Sequence, residues 1–180
     1  MTVNYTDCPA HLTPPEREWL KEAAEDISKR FPLTPMGPLF VHIGVMYGGS
    51  LHCSRAGAPK APILGVDLNI KGLRGDPQAF LLEGNSILLG WNFEAPIHFL
   101  FIDGGHDYAT VRMDVEAWGR LVVVGGIMAY HDSDYHHVVR AIKEWWPGAS
   151  KTWVELKLTK PGTDHTALRI RAFQRRVANE

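Results

Sequence analysis

The chain alternates short unbroken apolar stretches with segments in which apolar residues recur at helical spacing. Its strongest stretch, residues 97–102, ends abruptly in Asp103, Gly104, Gly105, His106, Asp107 and Tyr108. A run of β-branched and aromatic residues of this kind predicts a strand buried on both faces, as in a parallel sheet covered by helices. Residues 39–45 and 63–67 share that character, 79–86 reads as a third short strand and turn, and 127–130 follows a lead-in over 121–126. Trp19, Leu20, Ala23, Ile27 and Phe31 predict an amphipathic helix over about 15–31, with Thr13 as N-cap and proline in the first turn. Val111, Val115, Trp118 and Leu121 predict a second helix from about 107 to 120. A third, over about 135–146, is stopped by Pro147-Gly148. The glycine turn Tyr47-Gly48-Gly49-Ser50, with the serine as N-cap, opens a short helix ending near Arg55. Residues 68–78 are too rich in glycine and proline for a good helix, so that crossover shortens to a loop or a single turn.

Two further strands, about 152–158 and 166–172, are joined through Pro161-Gly162. Strands alternating with helices imply a parallel sheet with right-handed crossovers. Two strands in succession at the end add an antiparallel hairpin to its edge. The predicted fold is therefore α/β: a single Rossmann-like sandwich of about seven strands, mostly parallel, with an antiparallel C-terminal hairpin. It forms one domain over 1–180. Residues 1–38 make an N-terminal helix and a linker marked by Pro32, Pro35, Gly37 and Pro38, and 39–180 make the core. The strand ends Gly44, Gly84, Asp67, Asp103 and Asp132 then gather on the rim where open α/β sheets bind ligands.

A length of 180 residues suits one full core, and 45% apolar with 22% charged residues is ordinary for a soluble globular protein. The net charge is −1, and basic residues are scattered apart from Arg169, Arg171, Arg175 and Arg176. That balance leaves no electrostatic footprint for nucleic acid or an anionic membrane. No apolar stretch approaches the roughly 20 residues of a membrane span. The first residues show neither a basic start nor a long apolar core, so the expected location is cytoplasmic. Cys8 and Cys53 are too isolated for a disulfide framework or a zinc site.

Asp103 and His106, taken alone, fit a ligand site and a helix-capping turn equally well. The glycine turn after 39–45 is more informative when paired with Asp67. Bare backbone there lets a ligand lie close, and an acid at the tip of the next strand can accept hydrogen bonds from both hydroxyls of a ribose. Nicotinamide dinucleotides use the same logic but want Gly-x-Gly-x-x-Gly aimed at a pyrophosphate. The spacing here is Gly-x-x-x-Gly-Gly, which suits an adenosine ligand lacking a pyrophosphate.

On Gly44 to Ser50, Asp67, Gly84-Asn85-Ser86, the segment from Phe101 to Tyr108, Asp114, Trp118, Gly125-Gly126 and His131-Asp132, the sequence resembles class I S-adenosylmethionine-dependent methyltransferases. It is similar to the branch with an Ile-Asp-Gly-x-His-x-Tyr motif and a later His-Asp, which includes metal-dependent O-methyltransferases of sugars and catechols. The resemblance spans about 41–145. It implies that Gly44, Tyr47, Gly48, Gly49 and Ser50 line the methionine and ribose, that Asp67 and Leu68 meet the ribose, and that Asn85 and Ser86 lie by the adenine. Asp103 and Gly104 complete the cofactor's surroundings. Asp103 and Asp132, with His131 beside them, would bind a divalent cation, magnesium or manganese. His106 would be the general base, a residue type that exchanges protons near neutral pH, with Asp103 as its catalytic companion. One departure is His42, where the family usually carries an acid that organises the cofactor's amino-acid end.

The expected function is transfer of a methyl group from S-adenosylmethionine to a hydroxyl oxygen of a small molecule. The alternatives are a Rossmann-type nucleotide-binding oxidoreductase and a catalytically inactive S-adenosylmethionine-binding protein. The expected partner is a small-molecule acceptor, with neither nucleic acid nor membrane. One helix before the core leaves the rim open, to be completed by a second subunit in a homodimer or by the acceptor's own bulk. Bland roles are expected of His98 (a satisfied core or edge histidine), His136 and His137 (a solvated helix start), Trp91, Trp145 and Trp146 (packing), and Glu83, Asp107 and Asp114 (capping or solvated acids).

Overall fold

The computed structural model describes residues 11–31, 37–72, 76–158 and 168–177. Strands β1 (Phe40–Ile43), β2 (Ile63–Asp67), β3 (Phe80–Glu83), β4 (Ile97–Ile102), β5 (Val122–Tyr130), β6 (Trp153–Glu155) and β7 (Arg171–Arg175) form one seven-stranded sheet. Its order is β3-β2-β1-β4-β5-β7-β6. The first five strands run parallel; β7 is antiparallel to both β5 and β6. The chain therefore winds outward from β1 on one side, then restarts beside β1 with β4 and winds outward on the other. The switch point between β1 and β4 is where sheets of this type open a ligand crevice.

The strands are apolar on both faces because helices cover both. Val41, Ile43, Leu100, Ile102, Met128 and Tyr130 point to the side of α4 (Tyr108–Gly119) and α5 (His136–Ala149), where Trp118 and Ile142 are buried with them. Phe40, Phe99, Phe101 and Ala129 point the other way, against α1 (Pro14–Arg30) and α2 (Gly49–Gly57). α1 and α2 cross so closely that a side chain at Gly57 would strike the Lys21 carbonyl. The remaining helix, α3 (Ser86–Trp91), follows β3 and packs against Trp118 of α4. Among the described residues no helix is long and apolar enough to cross a membrane.

The seven-strand, mostly parallel architecture with its antiparallel end is as the alternation predicts. Differences lie at the ends of elements. Gly48, in the left-handed region at φ 88°, caps α2 in place of Ser50, which lies inside the helix. Only a glycine takes that conformation without a steric penalty. The glycines at 125 and 126 do not delay β5, which begins at Val122 and absorbs them as an irregularity, with Gly125 at φ +85°. α5 continues past 147 to Ala149, because Trp145 and Trp146 pack on Phe173 and hold its last turn. β6 is shorter than 152–158, and β7 starts at Arg171, since Leu168, Ile170 and Ala172 keep one alternation going while β5 offers partners only from Tyr130↔Arg171 onward. α3 is a helix where a turn is expected; Asn85 caps it by accepting the Leu88 N–H at 3.2 Å. No helix occurs in 68–72 or 76–78. Cys8, Pro32, Pro35 and the Pro161-Gly162 joint lie outside the described residues.

Candidate active site

Ladder hydrogen bonds run one residue beyond the strands and gather their ends on one rim. Gly44 N–H donates to the Val66 carbonyl, Asp103 N–H to Ile43 (both 2.8 Å) and His131 N–H to Ile102 (3.0 Å). Gly44 sits at φ +76°, and a Cβ there would fall on the Asp103 carbonyl, so β1 and β4 meet at this point with no room for a side chain. Two adjoining clefts, of about 490 and 500 Å³, share Gly44, Met46, Asp103 and Gly104.

The second cleft is lined by Asp67, Leu68, Asn85 and Ser86. Asp67 Oδ2 accepts the N–H groups of Val45 and Met46, at 2.9 and 2.8 Å, and Oδ1 accepts that of Asn69 at 3.0 Å. The acid at the tip of β2 thus also pins the glycine turn. The first cleft is lined by Tyr47, Gly49 and Ser50 on one side and by His106, His131 and Asp132 on the other. Gly48 lines neither, being turned into the cap of α2.

Asp103, His131 and Asp132 place ligand atoms within 4.8 Å of one another. The buried ring of His131 faces Asp103 Oδ1 at 3.0 Å and Asp132 Oδ2 at 3.3 Å with Nδ1, and Glu16 Oε2 at 3.2 Å with Nε2. These are ion-pair distances, but neither nitrogen has an aligned hydrogen-bond partner. Burial opposes a charge on the ring, yet the carboxylates outweigh it and push its pKa up to about 11. Burial raises the Asp103 pKa against the pull of His131, whereas the His131 contact holds Asp132 below the usual carboxylate range. Two carboxylates converging on a buried imidazole nitrogen without aligned hydrogen bonds are a donor set that fits an oxygen-preferring divalent cation. Asp132 adopts φ 47°, unusual for a residue other than glycine. His106, half-exposed, contacts Asp132 Oδ2 through Nε2 at 3.0 Å, and its ring lies 5.6 Å from that of Tyr135.

A family profile described as a methyltransferase domain matches residues 41–133, just over half of the chain. The chain belongs to this methyltransferase family. The chain is similar in fold to an O-methyltransferase from Bacillus cereus solved with S-adenosylhomocysteine (TM-score 0.67, 16% identity, 94% of this chain and 86% of that one). It is likewise similar to the O-methyltransferase NovP (0.67, 15%, 91% and 80%). A third similar structure is MycE of the mycinamycin pathway, solved with magnesium, S-adenosylhomocysteine and mycinamycin VI (0.61, 15%, 90% of this chain). The chain spans 55% of the length of MycE. These likenesses establish a class I, Rossmann-like methyltransferase fold.

His42, where the resemblance leads one to expect an acid, is wholly buried between Phe99 and Phe101, with Nε2 3.0 Å from Ser54 Oγ. Burial drives its pKa down to about 3, so it is a neutral core residue and lines neither cleft. His98 accepts the Leu39 N–H, Asp107 caps α4, and His136 and His137 are exposed at the start of α5, as expected. Trp91 lines neither cleft and lies under Arg120.

Glu16, Met46, Tyr135 and Arg169 also reach the clefts or the acidic cluster and are not foreseen from the sequence. Arg169 Nη1 meets Asp132 Oδ1 at 2.7 Å. Asp114, expected to be a cap or solvated, is instead fully buried: Oδ1 accepts the Ser86 hydroxyl at 2.7 Å and Oδ2 has no partner. Its neighbour Trp118 donates to the Ser86 carbonyl, so one face of α4 fixes the floor beside Asn85. A readable signal exists for two of these acids. Glu16 falls in register with Trp19, Leu20 and Ala23, and Asp114 with Val111, Val115 and Trp118, so both occupy inward positions of amphipathic helices.

Burial raises the Asp114 pKa from 3.8 to about 6, against the Ser86 hydrogen bond. A folded-state pKa above the unfolded one favours the native state while the group is protonated, and this contribution fades as pH rises from about 4 to about 6. Over that window the wild type should lose up to about 3 kcal/mol relative to Asp114→Asn. Urea unfolding of both proteins at pH 4 and pH 7 checks this; parallel pH profiles would remove the buried-acid assignment.

Proposed function

We propose that the protein transfers a methyl group from S-adenosylmethionine to a hydroxyl oxygen of a small molecule, with a divalent cation at Asp103, His131 and Asp132. The observation that carries this reading is the junction of the two clefts over Gly44, Asp103 and Gly104. One cleft offers Asp67 to a ribose, and the other ends on a cluster of oxygen and imidazole donors. The O-methyltransferases among the similar structures, and the magnesium in MycE, support it.

In this reading the first turn of α2, through Gly49 and Ser50, offers unpaired backbone N–H groups to the cofactor's carboxylate. When bound, the cation supplies positive charge that makes the acceptor hydroxyl more acidic. His106 takes the hydroxyl proton: contact with Asp132 engages Nε2 and leaves Nδ1 as the basic nitrogen, while Tyr135 limits the swing of the ring. The acceptor oxygen bonds to the methyl carbon as the carbon–sulfur bond breaks, leaving S-adenosylhomocysteine.

Calorimetry is the direct test. S-adenosylhomocysteine should bind and NAD should give no heat. Asp67→Ala should bind S-adenosylhomocysteine about 10- to 150-fold more weakly, since a hydrogen bond to a charged group contributes roughly 1.5–3 kcal/mol. Unchanged affinity in a folded Asp67→Ala protein would remove the ribose assignment.

A further inference from the structure

We propose that Glu16 of α1 is the positioning residue of the cation site, orienting His131 from behind so that Nδ1 is presented to the ion. The inference rests on the cation reading above. Glu16 stands at the start of α1, wholly without solvent exposure. Its Oε2 accepts the Thr13 N–H at 2.7 Å, the ordinary contact of a helix capping box. That motif leaves two further contacts unexplained. Oε2 also faces His131 Nε2 at 3.2 Å, and Oε1 accepts the Arg169 N–H at 3.0 Å from 153 residues away in sequence. Two backbone donors from opposite ends of the described chain thus clamp the carboxylate against the imidazole.

An ionised carboxylate can only accept, so a cation taken up by Asp103 and Asp132 would displace the proton from Nδ1 and leave the ring's remaining proton on Nε2, facing Glu16. With Nε2 protonated, the lone pair of a neutral His131 lies on Nδ1, the nitrogen 3.0 Å from Asp103 Oδ1 and 3.3 Å from Asp132 Oδ2. Carboxylates that fix the tautomer of a ligating histidine in this manner typically govern metal affinity by 10- to 100-fold. Glu16 does more than fix a tautomer. It also holds Arg169, whose guanidinium grips Asp132 Oδ1, so two of the three proposed ligands are set by one buried side chain.

The test uses the full chain and Mn²⁺, with free ion counted by electron paramagnetic resonance. Glu16→Gln can turn its amide N–H to Nε2 and permit the Nδ1–H tautomer, which cannot ligate. It should bind Mn²⁺ about 10- to 100-fold more weakly than wild type, with S-adenosylhomocysteine affinity retained. Equal Mn²⁺ affinity in the two proteins overturns the positioning role and spares the cation site. A wild type that binds no Mn²⁺ overturns both. A second measurement needs no variant: long-range proton–nitrogen NMR of wild type in saturating Mg²⁺ should show His131 protonated at Nε2 and bare at Nδ1. The Nδ1–H tautomer overturns the inference even where Glu16→Gln fails to fold.

Discussion

A chelator should abolish methyl transfer by the wild-type protein, magnesium or manganese should restore it, and neither should restore Asp132→Asn, whose turnover is expected to fall about 10²- to 10⁴-fold. Asparagine is the informative replacement. It tolerates the left-handed backbone that Asp132 adopts at φ 47° and still offers Arg169 an oxygen. Only the charge is withdrawn, from a carboxylate in contact with His131, His106 and Arg169 at once. Binding of S-adenosylhomocysteine should change little, because the cleft offered to its adenosine, with Asp67 and Asn85, does not include Asp132. Radiolabelled methyl transfer with and without chelator reads the outcome directly. Full activity in chelator would dispose of the metal.

His106→Ala should keep both the cofactor and the cation and lose about 10²- to 10⁴-fold in kcat, the usual range for a missing general base. The ring is half-exposed, so its removal leaves no cavity in the core, and Asp132 retains Arg169 as a partner. The deficit should shrink for acceptors with more acidic hydroxyls, whose oxygen needs less help to lose its proton. Near-normal turnover at neutral pH with a weakly acidic acceptor would leave His106 a structural residue. A series of acceptors of graded acidity, run on both proteins, separates these outcomes.

Much of this arrangement is legible in the sequence because the sheet is buried on both sides. Largely apolar runs at 63–66 and 97–102 stop where the backbone leaves the core, so Asp67 and Asp103 announce a rim before any coordinate is known. Asp132 follows for the same reason at the end of β5. Legibility fails where tertiary contacts decide. Pro147 does not end α5, because two tryptophans and Phe173 hold the turn it weakens. The alternation through Leu168, Ile170 and Ala172 has no internal mark for the start of β7, which pairing with Tyr130 sets. Arg169 carries no signal of its own: among several arginines in the same stretch, only docking against Glu16 and Asp132 singles it out. Gly48 shows the converse. It is read as a cofactor contact by resemblance, while its positive φ is spent on starting a helix.

The bond between Glu16 and Arg169 also dictates when the site comes into being. Strands β1 to β5 pair across shorter separations, the longest being β1 with β4, whereas the Glu16–Arg169 contact closes a loop of 153 residues. The parallel strands that carry Asp103, His131 and Asp132 on their rim can therefore pair before Glu16 and Arg169 meet to clamp them. The same economy runs backward in the mature protein. Undocking of α1 or of the β6–β7 hairpin would break the Glu16–Arg169 contact and leave the pairing of β4 with β5 in place, so the clamp should open at lower free energy than the sheet that carries the donors. Hydrogen exchange at the backbone amides of Thr13 and Arg169, both of which donate to Glu16, would time that opening.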